Sequence, residues 1–148
     1  MKHQDNADLL FALLVFVLLS LFVFAVSADA LELSPSERDS VASVVYAEAG
    51  GEDDAAMQMI AQCILCGCER EGMEPSELFE AYRYATWRPE PSEAAYAAVD
   101  AVFQNGARPI EGEPIYFYAS DQVESEWHER QEFLTEYRGI RFFGGDTY

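Results

Sequence analysis

Val41, Val44 and Val45 fall on one face of a helix, and Glu48 continues that face at i+7. Gly50 and Gly51 follow and end the pattern. The start is marked as clearly: in "SPSE" Ser34 is an N-cap, Pro35 sits at N1 and Glu37 at N3, a capping box. A helix is therefore predicted from about residue 35 to Ala49. The next stretch, "EDDAAMQMIAQCILCG", opens with acids that suit a helix N-terminus. Its Ala56, Ile60, Cys63, Ile64 and Gly67 share a face. "EPSE" occurs at Glu74–Glu77 and again at Glu90–Glu93, each time before a helical pattern. The first carries Leu78, Phe79 and Tyr82. The second carries Ala94, Ala95, Ala98, Val99 and Val102 and stops at Asn105-Gly106.

Beyond Gly106 the period changes to two. "PIYFYA" puts Ile115 and Phe117 on one face and Tyr116 and Tyr118 on the other, a strand, and "RGIRFFGG" is its candidate partner. The polar stretch "SDQVESEWHERQEF" between them reads as a loop or short helix. The expected fold is mainly α (α+β): four helices, then a small antiparallel β element.

A hydrophobic helix is expected ahead of this unit. Leu9–Val26, "LLFALLVFVLLSLFVFAV", carries no charge. It reads either as a signal peptide cut after Ala28 or Ala30, or as an anchor near the minimum spanning length of about 18 to 20 residues. The expected division is 1–30 as signal or anchor and 31–148 as a domain. Both readings put that domain outside the cytoplasm.

Charge narrows the partners. The 148 residues hold 27 acidic and 9 basic side chains, a formal net charge of −18. Such a field repels phosphates, so nucleic acid is not an expected partner. An anionic polymer would have to be held by shape, stacking and hydrogen bonds, and salt would screen the repulsion. The three cysteines of "CILCGC", Cys63, Cys66 and Cys68, are too few for a structural zinc site, with only His3 and His128 to add nitrogen. They read as small packing residues, with one disulfide possible after export. No metal or cofactor is expected.

Glu48 is the candidate for chemistry. Burial and the negative end of a helix both disfavour its charged form. Such a carboxyl can protonate a glycosidic oxygen and later accept a proton. The two glycines leave the space beside it clear, and Glu52 lies just past the turn. The alternative is a Glu48 that reaches solvent or pairs with Arg38.

"VVYAEAGGE", "AQCIL", "YFYA", a Trp and a terminal "RFF" together resemble the SleB-type cell wall hydrolases, over about residues 37–144. These include spore-cortex-lytic and phage-encoded enzymes. The resemblance implies a lysozyme-like fold and cleavage of the N-acetylmuramic acid–N-acetylglucosamine β-1,4 bond in peptidoglycan. It implies Glu48 as the catalytic acid and base of a lytic transglycosylase, with Glu52 on a second acidic position of the motif. Tyr116, Tyr118 and Trp127 are the candidates to stack on sugar rings. His128 reads as a surface residue.

The chain also departs from the pattern. "EDDAAM" replaces Glu-Pro-aromatic-Glu-Gly-Gln after the motif, Cys66 stands where Asn is usual, and Ile140 lies near the place of a His. The competing reading is a catalytically impaired, membrane-anchored module of the same fold that binds glycan or an envelope partner.

Overall fold

A computed structural model describes residues 31–50 and 53–145. The apolar stretch 9–26 and Glu52 lie outside the described residues. Among the described residues no helix is long and apolar enough to cross a membrane.

From Leu31 onward the chain forms one compact unit. Four helices, α1 (Pro35–Ala49), α2 (Asp54–Glu71), α3 (Pro75–Ala81) and α4 (Glu93–Phe103), precede three strands, β1 (Tyr116–Ala119), β2 (Phe133–Tyr137) and β3 (Ile140–Phe143). This is the expected mainly α arrangement with its small antiparallel sheet.

The boundaries follow from capping. Ser34 forms the capping box of α1: Glu37 accepts the Ser34 N–H at 2.7 Å, and Ser34 Oγ accepts the Glu37 N–H at 3.3 Å. Gly50 closes the helix at φ 59°, and its N–H reaches Tyr46 O. The two "EPSE" segments start helices in different registers. Glu74 is the N-cap of α3 with Pro75 at N1, whereas Ser92 caps α4 and accepts the Ala95 N–H at 3.2 Å. Identical letters thus give different starts, because the flanking apolar residues decide which turn is buried.

The core lies among α1, α2 and α4, with β3 closing one side. Val41, Val44, Ile60, Ile64, Leu78, Val99 and Phe142 are completely enclosed. Helix α2 is buried all round from Ile60 to Cys68, which is why its apolar face is wider than one stripe. The three cysteines are free thiols within that buried stretch. Burial pushes Cys66 up to about 11 and Cys68 up to about 12, so they behave as small apolar packing groups.

Strand β3 is the centre of the sheet, in the order β1-β3-β2. Phe117 pairs with Phe142 and Tyr116 with Phe143. The β1–β3 pairing matches the sequence expectation; β2 does not appear in it. "FLTEY" carries a register shift between Phe133 and Thr135, and a bulge erases a clean period of two. Arg138 (φ 49°) and Gly139 (φ 80°) join β2 to β3, the two positive φ values that a tight two-residue hairpin requires.

Asp53 fastens this hairpin to α2. It accepts from the Tyr137 hydroxyl at 2.6 Å, the Ala56 N–H at 3.1 Å and Arg138 at 2.8 Å. The Tyr137 bond above all, with the Ala56 N–H and Arg138, brings its carboxyl down to about 2.

Candidate active site

Helix α1 delivers Glu48 to the wall of a groove of about 820 Å³. The segment just after α3 lines the groove with Tyr82, Arg83 and Tyr84, and the sheet lines it with Ile115, Tyr116 and Phe117. Trp127 and His128 complete the wall. Among the described residues Glu48 is the only carboxylate in that lining.

A backbone turn sets the geometry around Glu48. After α3, the Arg83 N–H bonds Glu80 O at 3.4 Å and the Tyr84 N–H bonds Phe79 O at 3.0 Å, a Schellman closure. Arg83 takes the left-handed position at φ 56°, a place that favours glycine and costs another residue about 1 kcal/mol. The turn sends Tyr84 back into the core and aims the next amide outward. The Ala85 N–H donates to Glu48 Oε1 at 2.6 Å. One carboxylate oxygen is thereby fixed, while Oε2 has no hydrogen-bond partner among the described residues. Glu48 is half-buried. It does not pair with Arg38, which forms a two-pronged bridge to Asp100 at 2.6 and 2.7 Å.

Tyr84 is buried, and its hydroxyl has no hydrogen-bond partner among the described residues. Its ring stands edge-on to Phe79 and 5.8 Å from Phe117. Burial first, then the nearby Cys63 and Glu48, push its ionisation far above the usual phenol range. The hydroxyl stays neutral.

Opposite these groups the groove is aromatic. Tyr82 stacks on Tyr116 at 5.4 Å and 23°, and the Tyr82 hydroxyl donates to Glu71 at 2.9 Å. Trp127, half exposed, meets Tyr116 edge-on at 4.9 Å. Tyr116 and Trp127 are thus brought together in the groove with Glu48. Tyr118 is not part of the lining: its hydroxyl donates to Glu129, and its ring stacks on Phe143 at 8°. Glu52 lies outside the described residues.

His128 is not the surface residue that the polar context suggested. It lines the groove, with Nδ1 held 2.6 Å from Ser125 Oγ and its ring between Trp127 and Tyr118 at 5.0 and 5.1 Å. Desolvation lowers its pKa, against a smaller opposing pull from Glu129. Folding thus disfavours the proton, so the unfolded chain binds more of it below pH about 6.5. The stability this residue contributes is complete above that pH and lost as pH falls toward the lower folded value. We expect the His128 ring resonances in an NMR titration to move at a lower pH than those of an unperturbed histidine, about 6.5. A titration at that ordinary value would mean that the ring is solvated.

Sequence reasoning missed Tyr82, Arg83, Tyr84 and His128 as groove residues. Three of them follow a helix that ends without glycine, so nothing in the periodicity marks the turn that aims them.

No family model matches the chain, and no curated protein matches its sequence. Solved structures share its fold. The catalytic domain of the Bacillus cereus SleB protein superposes with a TM-score of 0.63 at 21% identity, covering 77% of this chain and 94% of that one. The catalytic domain of the germination-specific lytic transglycosylase SleB from Bacillus anthracis gives a TM-score of 0.61 at 21% identity, covering 77% and 98%. The fold of this unit is that of the SleB catalytic domain.

Proposed function

We propose that this protein cleaves peptidoglycan at the β-1,4 bond between N-acetylmuramic acid and N-acetylglucosamine, with Glu48 as general acid and base. The supporting observation is a carboxylate held by the Ala85 N–H on the wall of an aromatic groove, in a fold shared with a lytic transglycosylase domain. A neutral sugar face stacks on rings, so Tyr116 and Trp127 are the platform for the glycan. The polymer lies outside the cytoplasm, and the protein acts there.

With one carboxylate in the described lining, a single-carboxylate route is favoured over a two-carboxylate hydrolysis. Glu48 gives its proton to the glycosidic oxygen as the bond to C1 breaks. The C6 hydroxyl of the muramic acid then attacks C1 and returns its proton to Glu48. The product is a 1,6-anhydro end, and the carboxyl is regenerated.

The test is digestion of purified peptidoglycan by the compact unit from residue 31 onward, with mass spectrometry of the soluble fragments. Anhydro-muropeptides are expected. Reducing ends instead would mean hydrolysis and turn attention to Glu52. Binding without any cleavage would replace this reading with that of a glycan-binding module.

The Tyr84 ring borders the same site, while its hydroxyl oxygen is enclosed. Tyr84→Phe removes a buried hydroxyl that has no partner among the described residues, so melting temperature should hold or rise. Cleavage should stay within about threefold of the wild type, since an enclosed hydroxyl gives no hydrogen bond to the substrate. A loss of turnover of about tenfold would mean that the hydroxyl reaches the substrate after all.

A further inference from the structure

The groove contains a cation that the proposed chemistry does not use. Of the arginines described, five are paired with carboxylates. Arg88 and Arg108 donate to backbone carbonyls. Arg83 is the exception: its guanidinium has no hydrogen bond, ion pair or ring contact among the described residues. In a chain with 27 acidic side chains and 9 basic ones, this exposed guanidinium is held by no protein acceptor among the described residues and is free to meet a ligand. Its place supplies a second observation, because it lines the same groove as Glu48. Its backbone supplies a third. Arg83 holds the left-handed position of a helix end, where glycine would be unstrained. The only other described non-glycine residue with positive φ, Arg138, is accounted for by its hairpin turn and its bond to Asp53. No such local requirement calls for an arginine at residue 83.

We propose that Arg83 is a specificity residue that binds a carboxylate carried by the lactyl substituent of N-acetylmuramic acid, or by the peptide attached to it. The inference rests on the peptidoglycan reading and adds to it. Stacking on Tyr116 and Trp127 does not distinguish muramic acid from N-acetylglucosamine, since both present the same ring faces. The lactyl group is the chemical difference between them. A guanidinium fork matches a carboxylate in two-pronged geometry. One such cation in a lining whose only described carboxylate is Glu48 draws in the acidic sugar while the outer surface repels anionic polymers. Neutral chitin-type glycans lack the carboxylate and gain nothing from it.

The test uses the full chain carrying Glu48→Gln, so that binding is measured without cleavage. Three ligands are titrated: a neutral oligomer of N-acetylglucosamine, a peptide-free muramic acid–glucosamine oligomer with free lactyl carboxylates, and the same oligomer bearing peptide stems. In the free-lactyl ligand the acid is on the sugar; in the stem-bearing ligand the lactyl is an amide and the acids are on the peptide. Adding Arg83→Gln should weaken one of the two acidic ligands about tenfold, the size of one charge-assisted hydrogen bond, with the neutral oligomer held within about twofold. The salt dependence of the acidic ligand should flatten with it. Arg83→Lys should recover part of the loss, because the charge returns without the fork. Loss on the free-lactyl ligand assigns the lactyl carboxylate; loss on the stem-bearing ligand assigns the peptide. An equal loss on all three ligands, or none on any, overturns the assignment of Arg83 and leaves the functional proposal standing. If the Glu48→Gln chain binds no glycan at all, both fall.

Discussion

Glu48→Gln is expected to lower glycan cleavage by about 10²–10⁴-fold, with no change in the far-ultraviolet circular dichroism or the melting temperature. The geometry makes this a clean substitution. Glutamine has the shape of glutamate, and its carbonyl oxygen can still accept the Ala85 N–H that Glu48 Oε1 accepts at 2.6 Å. The turn after α3 therefore keeps its anchor. Only the capacity to give and take a proton is removed. One group is asked to do both, so the loss should lie toward the upper end of the range.

Glu48→Asp separates chemistry from position. The carboxyl is kept but withdrawn by one methylene, out of reach of the Ala85 amide. A displacement of about 1 Å in a reacting group can cost about 100-fold, and a loss of that size is expected here. If Glu48→Asp matched the wild type, proton transfer at Glu48 would not limit turnover. If Glu48→Gln still cleaved at the wild-type rate, the reacting carboxyl would have to be another, and Glu52 would be the one to replace.

The residues that turned out legible are those whose chemistry repeats along an element. Val41, Val44, Val45 and Glu48 share a helix face, and the ends of α1 are announced by Ser34, Pro35 and Gly50. The β1–β3 pairing was legible for the same reason: alternation in "PIYFYA" and a second apolar run in "GIRFF". What stayed hidden lies where the backbone leaves a period. The Schellman turn at Arg83 contains no glycine, so the segment 82–85 carries no stop signal. Yet that segment supplies the amide that fixes Glu48 and three side chains of the groove. His128 was hidden by polar neighbours. Its burial comes from Tyr118 on β1 and Phe143 on β3, together with the adjacent Trp127. Tyr118 was assigned to the groove by its alternation with Tyr116, but alternation gives the face of a strand and not how far along it a groove extends.

Gln62→Leu is expected to cost the fold a large share of its stability. Gln62 stands in the middle of α2, completely buried, in the "AQCIL" block. Its side-chain amide makes a two-way clamp on an irregular segment distant in sequence: Nε2 donates to Ile110 O at 2.9 Å, and Oε1 accepts the Ile110 N–H at 2.9 Å. Ile110 is buried and belongs to no helix or strand, so its peptide groups have no ladder to satisfy them. Gln62→Leu keeps the volume and the apolar fit but leaves a buried donor and a buried acceptor unpaired. At about 1–3 kcal/mol for each, offset in part by the gain of an apolar side chain, a net loss of about 3 kcal/mol is expected. The midpoint of urea unfolding should fall with little change in its slope.

Gln62→Glu tests whether hydrogen bonding, rather than shape, is responsible. It replaces the Nε2 donor by an oxygen that faces Ile110 O, and ionisation would bury a charge without a partner. Burial holds such a carboxyl's pKa above its unfolded value, so the folded state binds the proton more tightly. The variant should therefore be least stable at neutral pH and recover as pH falls toward the unfolded carboxylate value of about 4. A Gln62→Leu protein as stable as the wild type would show that the clamp contributes nothing. The segment from Ile110 leads directly into β1, so the loss should also reach Tyr116 and the groove. Cleavage by Gln62→Leu should then fall more steeply with temperature than cleavage by the wild type.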